Sequence, residues 1–301
     1  MLSIKENIEL AYYTSFKIGG KARYFAEVAN ENELQEALQY ALKNKLDFFI
    51  LGGGSNILIS GKGFNGLIIK LGAKTKLKII ENNSIECFAG ESLANVVNFA
   101  RDNSLSGLEW AAGIPGTLGG AVRGNARAFG KDMATAIESV EAFDISEKKV
   151  KNFDNIQCEF NYEGSIFKKN ANLIVLSAKI KLTTGDKEEI QEEIKKTIEK
   201  RISVQPQGFG SAGSFFLNPV VIDEKLRQEF EKETGAKCKD NKIPAGWLID
   251  QAGLRGKKIG GAMISDKHAN FIVNTGDATA EDVIMLASII KQKIRRFAHI
   301  R

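Results

Sequence analysis

The sequence is poor in proline and cysteine, and each shortage excludes a class of protein. Four prolines among 301 residues, with no low-complexity tract, exclude a disordered tail or a flexible linker. The three cysteines, Cys87, Cys158 and Cys238, lie far apart and match no metal-ligand spacing. We therefore expect apolar, reduced cysteines in a reducing compartment, and we predict no metal site.

The sequence also lacks a long apolar run. No stretch of about 18 apolar residues occurs, and the N-terminus, MLSIKENIEL, lacks the basic-then-apolar order of a secretory signal. A cytoplasmic protein without membrane association is therefore expected. The net charge of +5 comes from 42 basic and 37 acidic residues, which are mostly interleaved. Because nucleic-acid-binding faces concentrate Lys and Arg, we predict an anionic small molecule as partner and no nucleic acid.

With 301 residues, 43 % of them hydrophobic, the chain can bury the cores of roughly two domains. Apolar residues at helical spacing predict helices at 33–45, 92–103, 186–204, 224–234 and 244–251, and a last helix that begins after Thr279. Short apolar runs predict strands at 48–51, 56–60, 66–71, 77–80, 84–88, 137–145, 173–182 and 270–274. The charged helix at 186–204 is predicted to connect the domains.

Two glycine-rich segments are candidate ligand loops. Residues 52–56 (GGGSN) lie between two predicted strands, where backbone N–H groups could face a phosphate. They match neither the Rossmann fingerprint, because Ile57 replaces its third glycine, nor a Walker loop. Alone, this segment could be a tight turn. The second segment, 114–122 (IPGTLGGAV), lies in a region, 113–130, that is predicted to form a loop because it is too rich in glycine for a helix. Two such loops favour a dinucleotide.

Ser214 lies in the segment GSAGSFFLNP (210–219), which is either a turn entering a core strand or a reactive site. A nucleophile elbow is excluded, because no glycine stands two residues after Ser214. The two histidines, His268 and His299, give little support to a hydrolase triad. A serine without an adjacent base is better suited to donating a proton. The segment KHANF (267–271) is interpreted either as structural or as a ligand contact.

Five segments occur in a fixed order: TSFKIGG (14–20), LGGGSN (51–56), IPGTLGGA (114–121), GSFF (213–216) and ISDKHANFIVN (264–274). Together they resemble the UDP-N-acetylenolpyruvoylglucosamine reductases, in the shorter subclass without a tyrosine-bearing insertion. The resemblance implies an α+β chain, with an FAD-binding domain of the vanillyl-alcohol-oxidase type at 1–188, in two subdomains of about 1–70 and 71–188. An α+β substrate-binding domain would follow at 189–301.

The resemblance also implies a reaction. NADPH would reduce non-covalently bound FAD, which would reduce UDP-N-acetyl-3-O-(1-carboxyvinyl)-glucosamine to UDP-N-acetylmuramate for peptidoglycan, in a monomeric enzyme. Ser214 would donate the proton, beside Tyr162 and residue 163 at the other catalytic position. Asn218, Lys267, His268 and Asn270 would bind the substrate. The cofactor-binding residues would be Leu51, Gly52, Gly53, Gly54, Ser55, Asn56, Ile114, Pro115, Gly116, Thr117, Gly119, Gly120 and Ala121.

The sequence departs from the family pattern at three positions. Glu163 stands where the family has an arginine, in a Tyr-Arg-x-Ser pattern, and Arg127 stands where it has a glycine, in an Asn-Ala-Gly-Ala run. The sequence ends after Arg301, before the family's catalytic glutamate, through either truncation or natural loss. We hypothesise that Arg127 either neutralises Glu163 or replaces the lost guanidinium. The alternative function is a catalytically impaired flavin- or nucleotide-binding relative.

Overall fold

The computed structural model describes residues 2–72 and 77–298, apart from the side chain of Asn82, and the chain divides into two compact units. Unit 1 comprises Met1–Ile8, Ala22–Gly54 and Phe64–Arg201; unit 2 comprises Glu9–Lys21, Ser55–Gly63 and Ile202–Arg301. Both units are therefore discontinuous in sequence, whereas the domains expected at 1–188 and 189–301 are continuous. Periodicity along a chain cannot show which distant segments pack together, so the assignment of a function to each domain stays a prediction.

Unit 1 is built on two larger sheets. Its strands are β1 (Ile4–Glu9), β2 (Lys21–Val28), β3 (Phe48–Leu51), β4 (Phe64–Leu71), β5 (Lys78–Ile80), β6 (Ser84–Phe88), β7 (Leu105–Ser106), β8 (Arg127–Ala128), β9 (Lys131–Asp132), β10 (Ile137–Asp144), β11 (Lys149–Asp154), β12 (Leu173–Lys181) and β13 (Thr183–Thr184). The first sheet has the order β1-β2-β4-β3, with β2 and β3 parallel to β4. The second has the order β11-β10-β12-β6-β5 and is antiparallel.

The helices in this part of the chain are α1 (Glu31–Lys43), α2 (Leu93–Asp102), α3 (Leu118–Gly124), α4 (Ile166–Lys169) and α5 (Lys187–Val204). Asn30 begins α1 by accepting the N–H of Glu33, and Ser92 begins α2 by accepting the N–H of Asn95. The predicted helices at 33–45, 92–103 and 186–204 are confirmed, because each has an apolar stripe that packs into the core of unit 1.

Unit 2 has one antiparallel sheet, in the order β14-β17-β16-β15, formed by β14 (Gly210–Ser214), β15 (Lys258–Ile259), β16 (Ala262–Ile264) and β17 (Phe271–Asn274). Its helices are α6 (Glu224–Thr234), α7 (Ala245–Gln251) and α8 (Ala280–Ala298). Thr279 caps α8 as predicted: its hydroxyl accepts the N–H of Asp282, whose carboxylate accepts the N–H of Thr279. In the remaining chain, 3-10 turns occur at Leu10–Tyr13, Glu81–Asn83, Glu109–Ala111, Met133–Thr135 and Lys239–Asn241.

The strand predicted at 56–60 is wrong. Residues 55–63 belong to unit 2, where the side chain of Leu58 packs against the apolar core. The carbonyl of Ser60 accepts the N–H groups of Gly20 and Gly63, both at 2.9 Å, so this backbone is held by one bond from a distant segment and one turn bond, and not by a strand ladder. The apolar residues of this segment therefore serve local packing.

The prediction of an unbroken loop at 113–130 is also wrong, because α3 occupies Leu118–Gly124. The hydroxyl of Thr117 accepts the N–H of Gly120 and caps this helix. At Gly119 a Cβ atom would lie 2.7 Å from the Cβ of Ala89, and the Gly119 N–H donates to the Ala89 carbonyl at 2.8 Å. Glycine has a low helix propensity, but here it lets the helix backbone pack directly against the chain that follows β6.

Within residues 2–72 and 77–298, no helix is both long and apolar enough to cross a bilayer. The same residues contain no group of three or more His, Cys, Asp or Glu side chains arranged for a metal ion. The terminal residues 299–301, which include His299, lie outside the described part of the chain.

Candidate functional site

The two glycine-rich segments meet inside unit 1. A Cβ atom on Gly53 would lie 2.5 Å from the Cα of Gly116 and 3.2 Å from the backbone nitrogen of Thr117. A Cβ atom on Gly52 would lie 2.7 Å from the Thr117 hydroxyl oxygen. Only glycine fits at such separations, so the segment after β3 and the segment before α3 form one continuous backbone surface.

This paired surface, residues 52–54 with 115–117, has the character of an anion cradle. The backbone of Gly54 (φ 64°) and of Gly116 (φ 121°) is in a conformation that favours glycine. The N–H groups of Gly53 and Gly116 donate to no acceptor within the described residues. Unused N–H groups on an exposed glycine backbone are suited to a phosphate. The surface therefore fits the diphosphate of a dinucleotide.

The other predicted cofactor residues divide into two groups. Leu51, Gly119 and Ala121 are buried, and the N–H groups of the last two donate to backbone carbonyls. These three residues therefore support the conformation of the loops. Residues at the surface or partly exposed are Ser55, Asn56, Ile114, Pro115 and Gly120.

A second cluster in unit 1 surrounds Tyr162. Asn125, buried and left-handed (φ 44°), donates its amide to the Asn161 carbonyl at 3.1 Å and to Asp132 at 3.2 Å. Arg127 follows in β8, and its Nη2 donates to the same Asn161 carbonyl at 2.8 Å. Its Cζ atom lies 4.5 Å from the centroid of the Tyr162 ring. The guanidinium is therefore held over the tyrosine ring by a cation–π contact.

Glu163 is exposed, and no ion pair in the described chain joins it to Arg127. Its N–H donates to the Asn161 side chain at 2.8 Å, and its carbonyl accepts from Lys168 at 2.6 Å. The form of the hypothesis in which Arg127 neutralises Glu163 is therefore wrong. The other form, in which Arg127 replaces the lost guanidinium, stays a prediction.

Ser214 lies at the end of β14 in unit 2. Ser211 pairs with Val273 and Ser214 with Phe271, so Ala212 and Gly213 together face the single residue Ile272. This β-bulge, with Gly213 at φ 78°, redirects the strand and leaves Ser214 exposed. The serine is thus presented on an edge and not packed into the core.

Asn270 is buried, with 5 % of its surface exposed, directly behind the Ser214 turn. Its Oδ1 accepts the N–H of Phe216 and its Nδ2 donates to the Phe216 carbonyl, both at 2.9 Å. Its own backbone N–H donates to Nδ1 of His268 at 3.2 Å. These bonds hold the amide against the protein backbone, and the contact of Asn270 with the substrate stays a prediction.

The other predicted substrate residues also have structural contacts. The Asn218 Oδ1 accepts the N–H of Ala245 at the start of α7, at 3.0 Å. Lys267 donates to the carbonyl of Ile202 at 2.6 Å. His268 is partly buried, and this burial lowers the pKa of its imidazole. Its side chain is therefore expected to be neutral at pH 7.

One charged residue beside the second glycine segment cannot be recognised from the sequence. Arg201, near the end of α5, donates its Nε to the Ala112 carbonyl at 3.2 Å, immediately before the second glycine segment. Its Nη2 is buried and has no hydrogen-bond partner in the described part of the chain, and burial lowers the pKa of the guanidinium. Its Cζ atom lies 5.3 Å from the Phe129 ring centroid. A charged residue on an amphipathic helix gives no sequence signal of burial.

Comparison with known families supports a dinucleotide site at the two glycine segments. Residues 22–150 match a family model described as FAD binding domain, and residues 205–301 match one described as UDP-N-acetylenolpyruvoylglucosamine reductase, C-terminal domain. The fold and the paired glycine segments thus define an FAD-binding oxidoreductase.

Similarity extends over almost the whole chain. UDP-N-acetylenolpyruvoylglucosamine reductases of Synechococcus sp. (strain JA-3-3Ab) and Carboxydothermus hydrogenoformans are 38 % and 39 % identical over 97 % of this chain, which covers 86 % and 89 % of their lengths. The crystal structure of the Thermus caldophilus UDP-N-acetylenolpyruvylglucosamine reductase is 31 % identical, with a TM-score of 0.79 over 97 % of this chain and 96 % of the other. The chain belongs to the UDP-N-acetylenolpyruvoylglucosamine reductase family.

Family membership confirms the resemblance inferred from the five segments, the α+β class and FAD as the cofactor. The roles of individual site residues stay predictions.

Proposed function

We propose that the chain reduces UDP-N-acetyl-3-O-(1-carboxyvinyl)-glucosamine to UDP-N-acetylmuramate, with NADPH as the hydride donor, in peptidoglycan precursor synthesis. The observation that carries the proposal is the exposed Ser214 on its bulge, in a chain whose relatives are named for this reductase. We further propose a cytoplasmic monomer that needs neither a membrane nor a nucleic-acid partner.

The paired glycine surface binds the FAD diphosphate through backbone N–H groups, those of Gly53 and Gly116 among them. The bound flavin supplies hydride transfer from NADPH to the enolpyruvyl methylene carbon. The protein must therefore hold the cofactor without side-chain bulk at the loops, which explains why glycines occupy both of them.

Ser214 donates a proton to the carbon next to the one that receives the hydride. An alcohol is a weak acid, so the proton moves only if the carbon is strongly basic, as it is in an enolate. The adjacent carboxylate then carries extra negative charge, and a nearby cation would stabilise it.

Arg127 is the proposed source of that cation. Its guanidinium is fixed by Asn161 and the Tyr162 ring, so little conformational entropy is lost when it binds an anion. At about 4 Å and an effective dielectric near 20, one charge pair is worth about 4 kcal/mol. Glu163 contributes no such attraction. Asn218, Lys267 and His268 are proposed to contact the UDP-sugar.

The test is NADPH oxidation by the FAD-saturated protein, with and without the enolpyruvyl sugar nucleotide. Substrate-dependent turnover is expected, and Ser214→Ala should reduce it at least 100-fold while leaving flavin reduction by NADPH intact. Ser211→Ala is the matched control, because it removes the same hydroxyl from the same strand and should retain full turnover. Turnover of Ser214→Ala equal to that of the unaltered chain would contradict the proton-donor role.

A second candidate is a flavin-binding relative that does not catalyse. Glu163 favours it, because an exposed carboxylate occupies the position of the family's arginine. This candidate predicts tight FAD binding but no substrate-dependent NADPH oxidation, even after Glu163→Arg.

A further inference from the structure

We propose that Asn270 is a positioning residue, which acts on the reaction through Ser214 by fixing the backbone that follows it. The inference rests on the proposed role of Ser214 as proton donor. It assigns Asn270 a function without any contact between its amide and the substrate.

The side chains of Phe215 and Phe216 pack against the core of unit 2, but few hydrogen bonds fix the backbone of this turn. Strand β14 ends at Ser214, after a bulge that contains Gly213. Beyond it, the Phe215 N–H donates to the Asn270 backbone carbonyl at 2.8 Å. Both polar groups of the Phe216 backbone bond to the Asn270 side chain, and they have no other partner within residues 2–72 and 77–298. Asn270 therefore holds the backbone of two successive residues after the serine.

The Asn270 side chain is suited to this task because an amide has both a donor and an acceptor in one plane. The amide accepts the Phe216 N–H and donates to the Phe216 carbonyl, as the backbone of a neighbouring strand residue would. It does so beyond the end of β14, where no strand pairing continues. With 5 % of Asn270 exposed, these bonds are shielded from water, and their loss would leave Phe216 with two unpaired polar groups.

The backbone of Asn270 is itself fixed by hydrogen bonds in the turn that precedes β17. Its backbone N–H donates to Nδ1 of His268, and the hydroxyl of Ser265 accepts the N–H groups of Lys267 and His268. Burial lowers the pKa of His268, and a neutral ring can accept the Asn270 N–H at Nδ1. The turn that precedes β17 thus supports Asn270, and Asn270 supports the chain after Ser214.

A double-mutant cycle with Ser214→Ala and Asn270→Ala tests the coupling. The measured quantity is the rate at which the substrate reoxidises the NADPH-reduced holoenzyme. Asn270→Ala should lower this rate at least tenfold and leave flavin reduction by NADPH unchanged. In the Ser214→Ala background it should change the rate less than twofold, because the group that it positions is already absent.

Asn274→Ala is the matched control. Asn274 is buried at the other end of β17, donates its amide to the Phe16 carbonyl at 3.1 Å and accepts hydrogen bonds from two N–H groups, but its side chain has no hydrogen bond to the chain after Ser214. It should lower the melting temperature about as much as Asn270→Ala does, without slowing reoxidation. Equal slowing by both alanine variants, or additive effects in the cycle, would overturn the proposal.

Asn270→Asp keeps the test valid if the alanine variant does not fold. A protonated carboxyl can accept from Phe216 N–H and donate to its carbonyl, whereas a carboxylate can only accept. Reoxidation by this variant should therefore recover as the pH falls, relative to the unaltered enzyme at the same pH. A variant that is equally slow at every pH would refute the inference. Normal turnover of Ser214→Ala would instead show that the proton-donor assignment itself had failed.

Discussion

A methyl group added at Gly53 should separate the two glycine segments and weaken FAD binding. In Gly53→Ala the new Cβ would lie 2.5 Å from the Cα and 3.0 Å from the carbonyl carbon of Gly116. Favourable carbon–carbon contacts require about 3.5–4.0 Å, so the loops must move apart by about 1 Å. Both clashing atoms belong to the backbone, which cannot rotate away as the end of a side chain can.

Overpacking of this kind costs about 1–3 kcal/mol. If the bound diphosphate needs both loops at their present separation, the same free energy appears in the affinity for FAD. Because 1.4 kcal/mol corresponds to a factor of ten, the Kd for FAD should rise about fivefold to 150-fold. Titration of the apoprotein with FAD, followed by flavin fluorescence, measures this change directly.

Gly124→Ala is the control for Gly53→Ala. It adds the same methyl group at the end of α3, where no heavy atom lies within 4 Å of the new Cβ. Alanine is the better helix former by up to about 1 kcal/mol, so this variant should be slightly more stable and bind FAD normally. The reasoning is refuted if Gly53→Ala binds FAD as tightly as Gly124→Ala does.

Two further changes test the charged groups. Arg127→Met should lower substrate-dependent kcat at least tenfold without changing the Kd for FAD. Adding Glu163→Arg to the Arg127→Met variant should restore part of the lost kcat. An unchanged kcat in Arg127→Met would show that Arg127 has no role in the mechanism. His268 has a folded-state pKa below its ordinary value of 6.5 because of burial, so protonation favours the unfolded chain. Its contribution to stability is complete above about pH 6.5 and is lost as the pH falls through the folded-state pKa. Denaturant unfolding of His268→Gln should show a weaker loss of stability below pH 6.5 than the unaltered chain does.

Local patterns in the sequence predicted local structure well. The helix predicted at 224–234 has those bounds in α6, and the helix predicted at 244–251 differs from α7 by one residue. Each is defined by apolar residues one turn apart and by a capping position, which neighbouring residues alone determine. The strand β2 was not predicted, because it is stabilised by pairing with β4, which lies about 40 positions later in the chain.

The sequence predicts those features of the candidate site that depend on residue type, such as the glycine segments. It does not predict the contacts between residues that are distant in the chain. Glycines can be recognised in sequence as places of close backbone approach, and the contact between Gly53 and Gly116 agrees with that interpretation. The sequence predicts a substrate contact for Asn270. Nothing in residues 267–271 shows that the Asn270 amide pairs with Phe216, 54 positions earlier. Burial of a polar side chain is a property of the fold, and the sequence carries no local sign of it.

The two unusual residues of unit 1 are better understood together than singly. Arg127 lies in a short hairpin strand, and its guanidinium lies over the ring of Tyr162. The Asn161 carbonyl accepts from both Asn125 and Arg127, so one peptide group holds the hairpin and the cation beside residue 163. Residues 127 and 163, where the sequence departs from the expected family pattern, therefore lie in the same contact cluster. If the reaction needs one guanidinium there, Arg127 must supply it, and the effect of Glu163→Arg should be large only when Arg127 is absent.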